Sequence, residues 1–194
     1  GKMAIDVHGL GIDFASCSAH KIYGPKGVGA AFVKSDAYGI PPITAFMHGG
    51  EQESGFRAGT LAVHNIVGFG KAAEIALRDL AANEKRISCL DQMFIAGIAA
   101  IPAVSLTNKS DNRLPGIISI VIDQNDFNNE RFIKRISDKF ALSTGSACSA
   151  GEPSYVITAL GLEDKVSKVL RISLNKYTTE EEVNQLIKVL REEL

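Results

Sequence analysis

Lys21 is the first residue whose surroundings suggest chemistry. It stands in Ser16-Cys17-Ser18-Ala19-His20-Lys21-Ile22-Tyr23-Gly24-Pro25-Lys26-Gly27, where the apolar segment 12–15 runs into small and polar residues and then a Gly-Pro-Lys-Gly sequence. Glycine supplies positive φ and proline presets φ, so the chain reverses there. A lysine at such a place is either a solvated loop residue or an amine put to use. Ser18 and His20 lie just ahead of it and are hydrogen-bond donors that could hold a phosphate. A lysine at a strand end beside phosphate donors can form a Schiff base with pyridoxal phosphate. That role needs an amine whose charged form is disfavoured, which lysine can offer and arginine cannot.

Three further places carry reactive or charged groups in telling company. Cys148 lies in Ser143-Thr144-Gly145-Ser146-Ala147-Cys148-Ser149-Ala150-Gly151-Glu152-Pro153-Ser154, a run of small residues with little apolar company. A cysteine there is accessible and can act as a thiolate nucleophile. Arg171 interrupts the apolar segment Val169-Leu170-Arg171-Ile172-Ser173-Leu174. A charge in a strand must point out of the sheet or meet an anion. Its guanidinium fork suits a carboxylate, either a ligand's or that of a neighbouring acidic residue. The stretch 48–60 is rich in glycine and charge and reads as an exposed loop. Gly59-Thr60 then opens a long helical pattern, where Thr60 would serve as N-cap and anion site.

The elements that must position these groups follow from periodicity. Residues 3–7 read as a weak edge strand, 12–16 as a short buried strand and 28–33 as its antiparallel partner across the Gly-Pro turn, with a loop over 35–42. From Leu61 to Ile98 the apolar residues Ile66, Phe69, Ala73, Leu77, Leu80, Ile87, Leu90, Phe94 and Ile98 recur at three and four, predicting one long helix or two in tandem. Cys89 falls in this pattern as a small core residue, and His64 as a packing or capping one. Beyond it come strands at 103–107 and 116–122, and an amphipathic helix at 128–140 with Phe132, Ile133 and Ile136 inward. A strand at 141–144, a short helix at 153–160 ended by Gly161, and a strand at 169–174 follow. Thr179 caps a final helix, with Glu182 completing a capping box and Val183, Leu186, Ile187 and Leu190 inside. The alternation suggests an α+β sandwich over 100–194.

Of the 194 residues, 45% are hydrophobic and 22% charged, with net charge −1. That is an ordinary globular composition with no electrostatic footprint for nucleic acid or an anionic membrane. No apolar run reaches membrane-spanning length. Three cysteines without framework spacing fit free thiols in a reducing, cytoplasmic setting, and no metal-ligand set is read.

The segment 18–27, the run 49–60 (G-G-x-Q-E-x-G-x-R-x-G-T), the S-x-G-S-A-C run ending at Cys148 and the x-R-x-S-L run at Arg171 together resemble the cysteine desulfurases of the class V aminotransferase family. Ala19 stands where that family usually has glycine. The resemblance implies an α/β protein of PLP-dependent aminotransferase fold type I. Residues 1–60 would be part of the sheet of an incomplete large domain, 61–99 the connecting helix or helices, and 100–194 a small α+β C-terminal domain. It implies pyridoxal phosphate as a Schiff base on Lys21, with Ser18, His20 and, across a homodimer, Thr60 on the phosphate. Arg171 would clamp the α-carboxylate of L-cysteine, Lys21 and His20 would move protons, and Cys148 would take the sulfur as a persulfide for a sulfur-acceptor protein. Iron–sulfur cluster assembly, tRNA thiolation and DNA phosphorothioation are all open as destinations. Gln52 and Arg57 are left between structural and functional roles.

The same resemblance implies that the chain is the C-terminal half of a longer protein. The family's D-A-x-Q segment and stacking histidine, which hold the cofactor ring, are not among these residues. The chain alone is then expected to bind the cofactor weakly, to turn over little cysteine, and to oligomerise or be disordered around 3–32. The interval from Cys148 to 152–154 is shorter than in scaffold-type desulfurases, which implies a thiol that works close to the cofactor or an acceptor that comes to it. Two other readings stand beside this one. One is a different PLP enzyme of the same fold, such as a selenocysteine lyase. The other is a catalytically incompetent piece that only dimerises or binds an acceptor.

Overall fold

The computed structural model describes residues 1–39, 41–108, 110, 112–145 and 154–194. The chain divides into two units, Gly1–Ala81 and Ala82–Leu194.

In the first unit, β1 (Phe14–Ser18) and β2 (Gly29–Val33) form an antiparallel hairpin in register from Phe14↔Val33 to Ser18↔Gly29. The pairing expected across the Gly-Pro turn is present. The edge strand expected at 3–7 is not, because Asp6 turns the chain. Its carboxylate accepts the His8 and Gly9 N–H groups at 3.1 and 3.0 Å, and its carbonyl accepts Leu10 N–H at 2.9 Å. Side-chain capture of the following N–H groups competes with any ladder. These bonds, Gly9 first, hold the Asp6 carboxyl below its usual range. The first strand therefore begins at Phe14, later than the expected span 12–16.

The helical periodicity resolves as a single helix, α1 (Val63–Ile98), of 36 residues. Its first carbonyl acceptor is Ala62, which receives the N–H groups of Asn65 and Ile66, both at 3.0 Å. Thr60 is thus not the N-cap, because a tight turn from Leu61 O to Val63 N–H starts the helix after it. Cys89 is exposed rather than in the core. The buried stripe runs Ile87, Leu90, Asp91, Phe94, Ile98, and at 100° per residue Cys89 points away from it.

The second unit holds a three-stranded antiparallel sheet, ordered β3 (Val104–Leu106), β4 (Ile117–Ile122), β5 (Val169–Ser173). β4 is buried on both faces. Ile118, Ile120 and Ile122 join Leu90, Phe94 and Ile98 of α1, together with α2 (Asn129–Arg135) and α4 (Glu180–Glu193), in the main core. Val121 packs with Val169 and with Ile157 of α3 (Tyr155–Ala159) in a smaller cluster. α4 carries the expected capping box, with Glu182 N–H to Thr179 Oγ1 at 3.2 Å and Thr179 N–H to Glu182 Oε2 at 2.8 Å. Its four expected core residues are buried.

Two elements are shorter than their patterns. α2 ends at Arg135, where the Ser137 hydroxyl takes the Lys134 carbonyl at 2.9 Å. The strand expected at 141–144 is reduced to one bridge, Ser143↔Arg171. There the Ser143 hydroxyl donates to Gly145 O at 2.6 Å and accepts Gly145 N–H at 3.1 Å, curling the chain away after one pair. Among the described residues no helix is long and apolar enough to cross a membrane.

Candidate functional site

The lysine turn is built on a buried alanine. β1 delivers Ser18 in extended conformation (φ −119, ψ 133), and a 3-10 turn, Ala19–Ile22, follows. Ala19 is 0% exposed, its N–H donates to Val28 O at 3.1 Å, and its carbonyl receives Gly24 N–H at 2.9 Å. Tyr23 closes the turn in the left-handed region at φ 67. The loop lies on small residues of α1. A Cβ at Gly24 would come within 3.1 Å of the Ala72 Cβ, and a Cβ at Gly68 within 3.1 Å of Pro25 Cγ. At the base of the hairpin, a Cβ on Gly29 would run into the carbonyl oxygen of Cys17. The backbone is therefore fixed from three sides, while His20 and Lys21 are exposed and Ser18 is half-buried. Ser18 does not cap its own turn, and among the described residues no hydrogen bond or ion pair engages the side chains of Ser18, His20 or Lys21.

Thr60 stands on another loop of the same unit. A bridge between Met47 and Arg57, with Ala58 N–H to Met47 O at 3.2 Å, closes the loop at its base. Within it, a 3-10 turn over Gln52–Gly55 puts Glu53 and Ser54 at φ 53 and 57. Gln52 Oε1 accepts Gly59 N–H at 3.0 Å, and Arg57 Nη1 reaches Gly59 O at 3.4 Å. Both side chains left undecided by sequence thus bind the residue just before Thr60. The sequence carried no signal for that pairing beyond the glycine.

Arg171 belongs to the second unit. It sits in β5 opposite Ser119 of β4, and on its other side its N–H donates to Ser143 O at 2.6 Å. Its neighbours Leu170 and Ile172 are buried in the core, and Arg171 itself is half-buried. Nε of Arg171 is buried without a hydrogen-bond partner, and among the described residues the side chain has no ion pair. Among the described residues no acidic side chain pairs with it. A buried donor left unmade costs about 1–3 kcal/mol. A carboxylate would satisfy it. Cys148, with 146–153 around it, lies outside the described residues. Ser18, His20 and Lys21 are thus brought together on one turn, while Thr60 stands on a separate segment of the same unit and Arg171 on the sheet of the other.

Comparison with known proteins gives these residues a lineage. The aminotransferase class-V family profile matches residues 1–186. The cysteine desulfurase IscS of Aeromonas salmonicida is 41% identical over 197 residues, covering 100% of this chain and 48% of that protein. Among solved structures, a NifS-like protein superposes with a TM-score of 0.82 at 31% identity, covering 98% of this chain and 48% of its own. A NifS-like protein from Rickettsia africae also gives a TM-score of 0.82, at 27% identity, covering 98% of this chain and 50% of its own. The chain spans about half the length of the relatives it matches. With nearly every residue matched in both sequence and fold, the chain belongs to the aminotransferase class-V family.

Proposed function

We propose that the chain carries the cofactor lysine, the sulfur-accepting cysteine and the carboxylate-binding arginine of a pyridoxal phosphate-dependent cysteine desulfurase. The observation that carries this reading is the lysine turn. An unengaged hydroxyl, imidazole and amine stand within Ser18–Lys21 on a backbone locked at Ala19 and Gly24. The donor set fits the cofactor. The Lys21 amine suits an aldehyde, the Ser18 hydroxyl and His20 imidazole suit a phosphate, and unpaired Arg171 suits the carboxylate of an amino acid.

When bound, pyridoxal phosphate supplies an electron sink conjugated to the substrate's α-carbon. Lys21 would hold the cofactor through its amine, and the same amine would take and return the substrate's α-proton. His20 assists that transfer and, with Ser18, holds the phosphate. Thr60 donates to the phosphate of the partner subunit's site in a homodimer. Arg171 grips the α-carboxylate of L-cysteine with its fork and so fixes the substrate's orientation. The Cys148 thiolate attacks the substrate sulfur. A sulfur–sulfur bond forms, the carbon–sulfur bond breaks with its electron pair going to carbon, and protonation of that carbon releases alanine. The persulfide on Cys148 is then passed to a sulfur-acceptor protein in the cytoplasm, with iron–sulfur cluster assembly the use that the IscS relatives favour.

Because the relatives are about twice as long, the complete reaction is proposed for the protein in which these residues stand beside those that hold the cofactor ring. The 194 residues alone should bind the cofactor weakly and turn over negligible cysteine. Borohydride trapping tests the reading. After incubation with pyridoxal phosphate, the complete enzyme should carry one reduced phosphopyridoxyl group mapped to Lys21, absent in Lys21→Ala. It should form alanine from L-cysteine, and Cys148→Ala should not. An adduct scattered over surface lysines would refute the lysine assignment, and steady alanine formation by the 194 residues alone would refute their insufficiency.

A further inference from the structure

We infer that Gln52, with Arg57, is a positioning residue for Thr60, setting the direction in which the threonine hydroxyl meets a phosphate. This rests on the reading of Thr60 as a phosphate donor. The argument begins with the two peptide planes that flank Gly59. Gln52 Oε1 accepts the Gly59 N–H at 3.0 Å, which fixes the plane before the glycine. Arg57 Nη1 donates to the Gly59 carbonyl at 3.4 Å, which fixes the plane after it, the one that leads into Thr60. Between these planes Gly59 has φ +108, a conformation that side-chain-bearing residues rarely adopt. With both planes held, the torsions of Gly59 are bracketed and Thr60 leaves in one direction.

Satisfying a polar group is not a sufficient reason for these bonds. Gly59 is exposed, so water could take both its N–H and its carbonyl. Gln52 instead reaches across seven positions and gives up side-chain freedom to hold one geometry. The loop is shaped to let it do so. A Cβ on Gly50 would lie 2.6 Å from Gln52 Oε1, so the glycine leaves the amide room to lie flat. Glu53 and Ser54, next along the chain, are held at φ 53 and 57, a pair of left-handed non-glycine residues that persists only where surrounding structure imposes it. The three-residue step from Thr60 to the start of α1 at Val63 leaves the hydroxyl outside the helix's own capping, and no hydrogen bond among the described residues uses it.

The test separates the clamp from the threonine by asking for phosphate dependence. In the complete enzyme, equilibrium affinity is measured spectroscopically for pyridoxal phosphate and for pyridoxal, which lacks the phosphate, in wild type, Thr60→Ala, Gln52→Leu and Arg57→Leu. Loss of one hydrogen bond to a charged group should lower the phosphate-to-pyridoxal affinity ratio about tenfold in Thr60→Ala. Gln52→Leu should lower the same ratio by at least about threefold while leaving pyridoxal affinity unchanged, and Arg57→Leu should lower it less, as its longer bond implies. In Thr60→Ala, adding Gln52→Leu should have no further effect. A merely structural role would depress both affinities together, and that result would overturn the inference. If Thr60→Ala lowers the ratio and Gln52→Leu does not, the clamp fails while the threonine stands. If Thr60→Ala leaves the ratio intact, the phosphate reading of Thr60 fails and takes the clamp with it.

Discussion

Asp91→Ala should destabilise the second unit by about 3–5 kcal/mol, nearer the lower figure. Asp91 is 2% exposed and lies on the core face of α1. One carboxylate oxygen accepts Arg113 Nη1 at 2.8 Å and the Gly116 N–H at 2.7 Å, and the other pairs with Arg113 Nη2. Alanine takes this carboxylate from a guanidinium whose side chain is only 22% exposed, and leaves the buried Gly116 N–H without its acceptor. The second loss alone is worth about 1–3 kcal/mol. Partial rehydration of Arg113 is what pulls the total down. In a urea melt the midpoint should fall by about 1–2 M with unchanged slope, and in calorimetry Tm should fall by about 6–12 °C. Asp91→Leu combined with Arg113→Leu leaves no buried charge behind, so it should recover at least half of the loss. An Asp91→Ala midpoint within error of wild type would refute the reasoning, as would a double variant no better than the single one. The effect should also reach the candidate site. Gly116 O accepts Leu174 N–H at 2.7 Å, so Asp91 secures the point where β4 begins and the strand of Arg171 ends.

Four other substitutions probe the same physics. Gly97→Ala sets helix propensity, worth about 1 kcal/mol in its favour, against a Cβ that would collide with the buried Ile187 side chain. Overpacking of about 1–3 kcal/mol should win, and a raised Tm would show that it does not. Thr179→Ala removes half of the capping box on α4 and should cost about 1 kcal/mol by chemical denaturation, whereas no change would mean that the bond at 3.2 Å is idle. Arg171→Lys keeps the charge and loses the fork, so KM for L-cysteine should rise about tenfold or more in the complete enzyme with Tm little altered, and an unchanged KM would remove Arg171 from the substrate. Lys165, and after it Lys168, hold the Asp123 carboxyl below its usual range. The stabilisation this gives is present above the ordinary carboxylate value and is lost as pH falls through the lower folded value, below about pH 4. Asp123→Asn should therefore lower Tm slightly at pH 7 and progressively less as acid is added, and an effect independent of pH would contradict the assignment.

The second unit was the more legible of the two, and its burial explains why. β4 is apolar almost throughout and buried on both faces, and α4 carries its inner face and its cap in plain spacing, so pattern and packing agree. Misreadings fall where a short side chain competes with the backbone. Asp6 turns the chain where weak alternation suggested a strand, and Ser143 ends a strand after a single pair. Cys89 departs from its pattern for another reason: its residue type suits the apolar stripe and its angular position does not. Of the candidate site, the lysine turn was legible because glycine, proline and polar residues stand together in the chain. The hold of Gln52 on Gly59 was not, since it joins residues seven apart in a loop with no period.

The distribution of satisfied and unsatisfied polar groups is itself an argument about function. Where structure is the purpose, partners are complete: Asp91 uses both oxygens, and Thr179 and Glu182 answer each other. At the residues expected to meet ligand, the described structure provides no partner for Arg171 Nε, and none for the side chains of Ser18, His20 and Lys21. The exposed groups among these lose little by waiting, because water serves them. Arg171 differs, since its Nε is buried and water does not reach it. Among the described residues that donor is left open, at a cost of about 1–3 kcal/mol. A salt bridge would have removed the cost, and a leucine would have avoided it. An open, buried Nε–H on a half-buried arginine in a β-strand accords with the proposal that the missing acceptor arrives with the substrate, and a carboxylate is the acceptor whose shape and charge match its fork.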